Sequence, residues 1–430
     1  MQRWGRFRRA AFTIVCVLVV VVGYSRMSAQ PPRSSRLMLY ASVGPELTWY
    51  DVDVERAALA RQGSAMLPAN VQEASADPSR RYLYVAWSNG GPSYVAPGSG
   101  LGSAGSRHGV SAFRIDGVSG ALVPHGQSAL PSRPIHITTD VPGTHILVAY
   151  NDPSGVTVHR IQPDGTIGAQ VTQQAGLDVG IYGHQVRVDP SNKSVILVTR
   201  GNNPTREKAE DPGALKVFAY RDGVLSNRAS IAPGGGFGFQ SRHLDFHPTR
   251  PWVFVSLERQ NKLQVYKKLT DEALSSEPLF TKETLSAPDT VRAGQAASTV
   301  HVHPTGEFVY LANRASGTTN VDGKPVFAGG ENAIAVFKIN EDTGEPTLIQ
   351  NIDTRGVQPR TFAVDSSGRI LVAANQAPFS VRDGHGVSMV PASLAIFRVR
   401  ADGKLDFVRK HDVEASNSRS LFWMGLVSLP

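Results

Sequence analysis

Four arginines and a histidine fall at equivalent positions of a repeated strand, and this is the chain's clearest chemical signal. Strongly apolar runs such as Val195-Ile196-Leu197-Val198 and Phe308-Val309-Tyr310-Leu311 follow an Asp-Pro or His-Pro turn, and another short strand precedes each turn. Aligned on those turns, the equivalent residues are Gln72, Arg133, His184, Arg242, Ser298, Arg360 and Arg419. If the short strands converge on one axis, these side chains form a ring of positive charge, with Glu73 and His243 at the next positions. Convergence of like charges is costly, and a bound anion offsets that cost. The competing reading pairs each arginine with a local acid or a strand-edge carbonyl. The expected occupant is a small molecule bearing a carboxylate or phosphate.

Glu258 ends the apolar strand Val253–Leu257, and Arg314 ends the equivalent strand one repeat later. Both strands run back toward the same end, which places a carboxylate beside His184 and Arg242. That combination suits proton transfer with oxyanion stabilisation; a salt bridge from Glu258 to Arg259 or Arg242 is the structural alternative. His301 and His303 share a strand face as a metal pair would, but His303 occupies the turn position filled by Asp77, Asp189 and His247 elsewhere, which favours a structural role. Gly234-Gly235-Gly236 upstream of Arg242 allows close backbone approach to a ligand, or is simply a flexible connection. No G-x-S-x-G elbow, P-loop or G-x-G-x-x-G in a strand-to-helix setting is present.

The elements that must position these residues come from a sevenfold repeat. An apolar strand reaches Tyr50, Phe113, His159, Phe218, Tyr266, Phe337 and Phe397 in turn, mostly followed by a basic residue and an Asp/Gly turn, as in Phe113-Arg114-Ile115-Asp116-Gly117. The spacing, roughly 46 to 71 residues, is the range of propellers and solenoids. Each repeat supplies about four strands, which is one propeller blade. Leu37-Met38-Leu39-Tyr40 and Arg419-Ser420-Leu421-Phe422-Trp423 complement each other as partners in one split blade. The prediction is an all-β, seven-bladed β-propeller over 36–430, closed by N- and C-terminal strands sharing a blade, with no sheet edge left open at the closure. Three long connections, Ser88–His108, Gly201–Pro212 and Gln376–Ser393, are rich in Gly, Ser, Pro and Asn.

The N-terminus reads separately. Arg3, Arg6, Arg8 and Arg9 precede an apolar run from Ala10 to Tyr24, with small residues Ser28 and Ala29 beyond it. This predicts a signal peptide over 1–29, with an uncleaved membrane anchor as the alternative. Removing residues 1–29 takes five arginines and no acid, lowering the formal charge from +8 to +3. The basic balance therefore belongs to the leader, and a nucleic-acid partner loses support. The single cysteine, Cys16, lies in the same leader, so the remainder has no thiol for a disulfide, metal site or nucleophile.

Gly183-His184-Gln185-Val186-Arg187-Val188-Asp189-Pro190, Ser241-Arg242-His243-Leu244-Asp245-Phe246-His247-Pro248, the run Gly306–Arg314 and Gln358-Pro359-Arg360-Thr361-Phe362 together resemble the lactonase-type seven-bladed propellers. That family includes 6-phosphogluconolactonase and 3-carboxy-cis,cis-muconate cyclase. The resemblance implies hydrolysis or formation of a lactone with no metal or organic cofactor, and a catalytic set of His184, Glu258, Arg242 and Arg314. Arg133, His243, Arg360 and Arg419 complete the expected substrate-binding positions. The chain departs from the family at Ser241, where Pro is common, at Thr299, where many members carry Glu, and around Thr199-Arg200-Gly201, where many carry an acid.

Two functions follow. The first is an exported monomeric lactonase or lactonising enzyme acting on an anionic small molecule, with a membrane association only if the leader is retained. The second is a non-catalytic propeller that binds a ligand or protein on one face.

Overall fold

Strands that are apolar on both faces must be covered on both faces, and a ring of radially packed sheets provides that cover. In the computed structural model, which describes residues 1–2, 36–91, 105–384, 386–416 and 418–430, the runs Ser194–Thr199, Trp252–Leu257 and Ile370–Asn375 are buried throughout. Each is the second strand of an antiparallel sheet. The segment expected to serve in export lies, but for its first two residues, outside the described part of the chain. Ser35–Pro430 forms one compact unit.

Seven sheets follow in order, numbered here as blades by their innermost strands. These strands are Asn70–Ala76, Pro134–Thr139, Gly183–Val188, Ser241–Phe246, Ala296–Val302, Pro359–Val364 and Leu421–Ser428. Blade 7 is the split one. Its innermost strand Leu421–Ser428 pairs antiparallel with Leu37–Val43, which leads outward to Glu46–Asp53 and Ala58–Met66. The seven-bladed fold and its closure are as the repeat predicts. Seven apolar clusters hold the ring, one between each pair of neighbouring blades; Leu37, Leu39, Ile370 and Leu394 meet in the one joining blades 6 and 7.

Polar turns lock neighbouring blades together. Asp77, Asp189 and Asp365 accept backbone N–H groups of their own turns. In blades 4 and 5 histidine replaces aspartate and reaches further. His247 Nε2 donates to Gly306 O at 2.9 Å and His303 Nε2 to Gly368 O at 3.0 Å, each in the next blade. Gly306, at φ +82°, leaves no room for a side chain, because a Cβ there would sit 2.5 Å from the His247 ring. His303 therefore has a structural task, and His301 turns instead toward Asp245, 3.5 Å away.

Every long connection leaves from the end of a second strand, hence from the same face of the ring. Besides the three expected there is a fourth, 315–332 in blade 5. It folds into the hairpin Thr318–Val321/Lys324–Phe327, which packs on the hairpin Phe379–Arg382/Val387–Val390 of blade 6, with Phe327 and Phe379 rings 6.4 Å apart. This is the face on which the innermost strands begin.

Candidate active site

All seven innermost strands break register with their partners near this mouth. The extra residues are Gln72, Ile135, His184, Arg242, the pair Ser298 and Thr299, Arg360 and Phe422. A bulge bends its strand and re-aims the side chain it carries, so the channel mouth is lined by residues freed from the ladder. Two arginines and one histidine stand at this level, rather than four and one.

The register assigned to Arg133 and Arg419 is corrected accordingly. Ile135, not Arg133, takes the bulge of blade 2. Arg133 precedes that strand, and its Nε donates to Gln72 Oε1 of blade 1 at 2.9 Å. Phe422, not Arg419, takes the bulge of blade 7. Arg419 lies outside the channel wall, its side chain 52% exposed and 3.8 Å from Glu46. Phe422 meanwhile supports the site, since the Arg360 guanidinium lies 3.9 Å from its ring centroid.

The remaining charges come from residues that close the second strands. Arg200, Glu258 and Arg314 occupy equivalent places in blades 3, 4 and 5, and they converge. Arg200 Nη1 donates to Glu258 Oε2 at 2.8 Å, Arg314 Nη2 donates to Oε1, and Arg242 Nε lies 3.4 Å from the same Oε1. Three guanidinium groups thus surround one buried carboxylate, while Arg259 turns to solvent. Burial alone would raise the Glu258 carboxyl, but Arg200, Arg314 and Arg242 outweigh it and hold the group well below the carboxylate range.

The cluster is not self-sufficient in hydrogen bonds. Arg242 is only 1% exposed, yet its Nε and Nη1 make no hydrogen bond to any described residue. Arg314 Nε and His184 Nδ1 are in the same condition. Buried donors without acceptors are costly and rare in native proteins. Burial pushes the Arg242 pKa well down, and the neighbouring Arg314 and Arg360 add to the effect.

Beside these donors stand three imidazoles. His184 and His243 have ring centroids 5.1 Å apart, and His243 and His136 6.0 Å apart. Burial, then Arg242, drives His184 and His243 well below their ordinary values, so both are neutral at pH 7. Deeper in the channel, Arg187 Nη2 donates to Asp245 Oδ1 at 2.8 Å.

The backbone leading into the site is itself strained. Tyr182, Gln240 and Gln358 have φ of +57°, +44° and +59°, and their carbonyls accept the N–H of Arg200, Glu258 and Gln376 respectively. Non-glycine residues hold such angles only where surrounding structure enforces them. This repeated contact fixes the height of Arg200 and Glu258 against His184 and Arg242.

His184, Glu258, Arg242 and Arg314 are therefore brought together, with His243 and Arg360 at the same mouth. Sequence reading missed Arg200, Tyr182 and Phe422. Arg200 was visible as the counterpart of Glu258 and Arg314, each following an apolar second strand. It supplies the counter-charge of Glu258. The other departures are also satisfied: Ser241 Oγ donates to Thr199 O at 3.1 Å, and Thr299 Oγ1 to Arg360 O at 3.0 Å.

Comparison with known proteins agrees with this architecture. The family described as "Lactonase, 7-bladed beta-propeller" matches residues 44–382. The 6-phosphogluconolactonase of Bacillus subtilis is 29% identical over 306 residues, covering 67% of this chain and 78% of the relative. That of Pectobacterium carotovorum is 27% identical over 312 residues, covering 72% and 79%. Among solved structures, the periplasmic gluconolactonase of Pseudomonas aeruginosa superposes with a TM-score of 0.63 at 18% identity, over 92% of this chain and 100% of that one. A protein from Lactobacillus plantarum gives 0.61 at 18% identity, over 91% and 99%. At such identities the structural likeness speaks for the fold alone. With the family match extending across most of the ring, the chain belongs to the lactonase family of seven-bladed β-propellers.

Proposed function

We propose that this chain hydrolyses the lactone of an anionic small molecule at the channel mouth, and does so after export. The observation that carries the reading is Arg242: a guanidinium 1% exposed, with two donor atoms unbonded, beside Arg314 Nε and His184 Nδ1 in the same state. These donors suit a phosphate or carboxylate of the substrate and the oxyanion that forms during attack. The names of the sequence relatives, 6-phosphogluconolactonases, favour a sugar-acid lactone.

In this reaction water adds to the lactone carbonyl carbon and loses a proton to His184. A bound anion offsets the field of Arg242, raising the imidazole from its depressed value toward a useful base. The carbonyl oxygen becomes an oxyanion facing Arg242 and Arg314, and the ring C–O bond then breaks. Glu258, held ionised by three arginines, is unsuited to moving protons; it positions the guanidinium groups. A muconate-type cyclase step is a different reaction at the same residues: a substrate carboxylate oxygen adds to an activated carbon–carbon double bond, whose other carbon takes a proton, with the arginines holding the carboxylate.

Export rests on residues 3–24, where arginines precede an apolar run, and on a chain whose single cysteine, Cys16, lies inside that run. Cell fractionation of the full chain and N-terminal sequencing of the recovered protein test it.

Turnover of 1,4- and 1,5-lactones, with and without phosphate or carboxylate groups, tests the activity. Wild type should prefer the acidic substrates, and Arg242→Met should lose them by about 10³-fold. A wild type inert on every lactone and equal to His184→Ala would refute it, and tight binding without turnover would favour a binding scaffold.

A further inference from the structure

Hydrolysis at this mouth leaves one requirement unmet by the residues so far assigned. The departing ring oxygen of an alkyl lactone is a strongly basic alkoxide, and it needs a proton donor. His184 begins the cycle as an acceptor, and the arginines hold their protons. Among the described residues, Glu258 is held by Arg200, Arg242 and Arg314 and Asp245 by Arg187, while no ion pair ties Glu73.

Its placement follows from the blade 1 bulge. Half-buried and one step past the bulged Gln72, Glu73 takes in blade 1 the place that His136 and His243 take in blades 2 and 4, whose rings meet 6.0 Å apart at the mouth, so it faces the channel. In a ring of seven, blade 1 stands two places from blade 3, which carries His184, and three places, the greatest separation, from blade 4, which carries Arg242. A substrate held by Arg242 thus presents its far side to Glu73. The groups around the carboxyl come from each neighbouring element. Trp423 of blade 7 neighbours it, Arg360 of blade 6 and Arg242 of blade 4 act on it through space, and His136 of blade 2 shares its level.

We propose that Glu73 is the catalytic proton donor to the leaving alkoxide, acting across the channel from His184. This rests on the lactonase reading of the same site. The balance is complete: His184 takes a proton from water, and the tetrahedral intermediate collapses to a carboxylic acid and an alkoxide. Glu73 protonates the alkoxide, and His184 returns its proton to Glu73 through solvent. The product acid then ionises. Burial in the channel pushes the Glu73 carboxyl up to about 8, against the opposing pull of Arg360 and Arg242, so it is protonated and able to donate at pH 7.

The test compares an alkyl 1,5-lactone with a phenolic lactone, whose leaving group departs without help. Glu73→Gln should lower kcat on the alkyl lactone by about 10²-fold with KM nearly unchanged. Its loss on the phenolic lactone should be at least about tenfold smaller, because general-acid assistance falls with leaving-group basicity. In wild type, alkyl turnover should fall above pH 8 relative to phenolic turnover, a readout that needs no variant. Equal losses on both substrates, unchanged alkyl turnover in Glu73→Gln, or a wild-type ratio flat with pH would overturn the assignment. A wild type inert toward all lactones overturns the lactonase reading itself, which separates the two failures.

Discussion

Arg200 donates from Nη1 to Oε2 of Glu258 at 2.8 Å, tying together two residues that close equivalent strands of adjacent blades. The guanidinium also lies over the Tyr182 ring, 4.1 Å from its centroid. Arg200 is thereby held by one charge and one aromatic face, and Glu258 is held ionised in turn.

Substituting Arg200 should loosen that arrangement. Arg200→Met leaves Glu258 with Arg314 and Arg242, so we expect a loss of about 1–3 kcal/mol in urea unfolding, below the cost of stripping a buried charge of every partner. Turnover should fall roughly tenfold or more as the arginine cluster shifts. Arg200→Lys should restore little, since an ammonium neither stacks on Tyr182 nor forks to the carboxylate.

Arg242 should show the opposite balance of stability and activity. It is buried, flanked by Arg314 and Arg360, and carries unbonded donors. Arg242→Met should leave the fold as stable or raise it by about 1–2 kcal/mol while abolishing turnover. Thermal unfolding and a lactone assay on the same sample measure both, and a marked fall in Tm would contradict the expectation.

Glu73 should make stability depend on pH. Its carboxyl titrates near 8 when folded and near the ordinary glutamate value when unfolded. Below about pH 4 both states are protonated and the group is silent. As pH rises from there to 8 the unfolded chain loses the proton first, so the folded state is progressively disfavoured, and above 8 the loss is complete. Glu73→Gln should therefore match wild type at pH 4 and exceed it at pH 9 by a few kcal/mol, on the order of the linkage value. Denaturant midpoints across pH for the two proteins provide the check.

Anions should stabilise the ring and take up protons as they bind. Phosphate, citrate or gluconate should raise Tm by mass action, and Arg242→Met should abolish the effect. Because Arg242 helps depress His184 and His243, an anion that offsets it raises both imidazoles. Calorimetry near pH 6 in two buffers of different ionisation enthalpy should register net proton uptake; no buffer dependence would contradict it.

The ring was legible in the sequence because its period is written in side chains that the sheets bury. Tyr50, Phe113, His159, Phe218, Tyr266, Phe337 and Phe397 are all 5% exposed or less, each in the third strand of its blade. The mouth was legible wherever a turn residue anchored the count. Asp77, Asp189, His247, His303 and Asp365 each lie five residues beyond the bulge, and from them Gln72, His184, Arg242, Ser298 and Arg360 fall into place. In blade 2 the equivalent anchor is Asp140, whose proline comes a residue later, in Asp140-Val141-Pro142; counting from it gives Ile135. Blade 7 has no such turn after its innermost strand, so nothing in its sequence marked Phe422 over Arg419. The clamp on Glu258 was hidden for another reason. It joins the ends of three second strands, and such contacts depend on how neighbouring sheets are staggered, which no single repeat records.

The pairing of Leu37–Val43 with Leu421–Ser428 has a consequence for the order of events during synthesis. The strand that carries Phe422 leaves the ribosome after the other six blades. Until it does, Arg360 lacks the ring it stacks on, and Leu37–Val43 waits with one edge open. Closure joins the most distant parts of the chain, the slowest class of contact to form. The channel mouth is thereby completed only in a finished molecule.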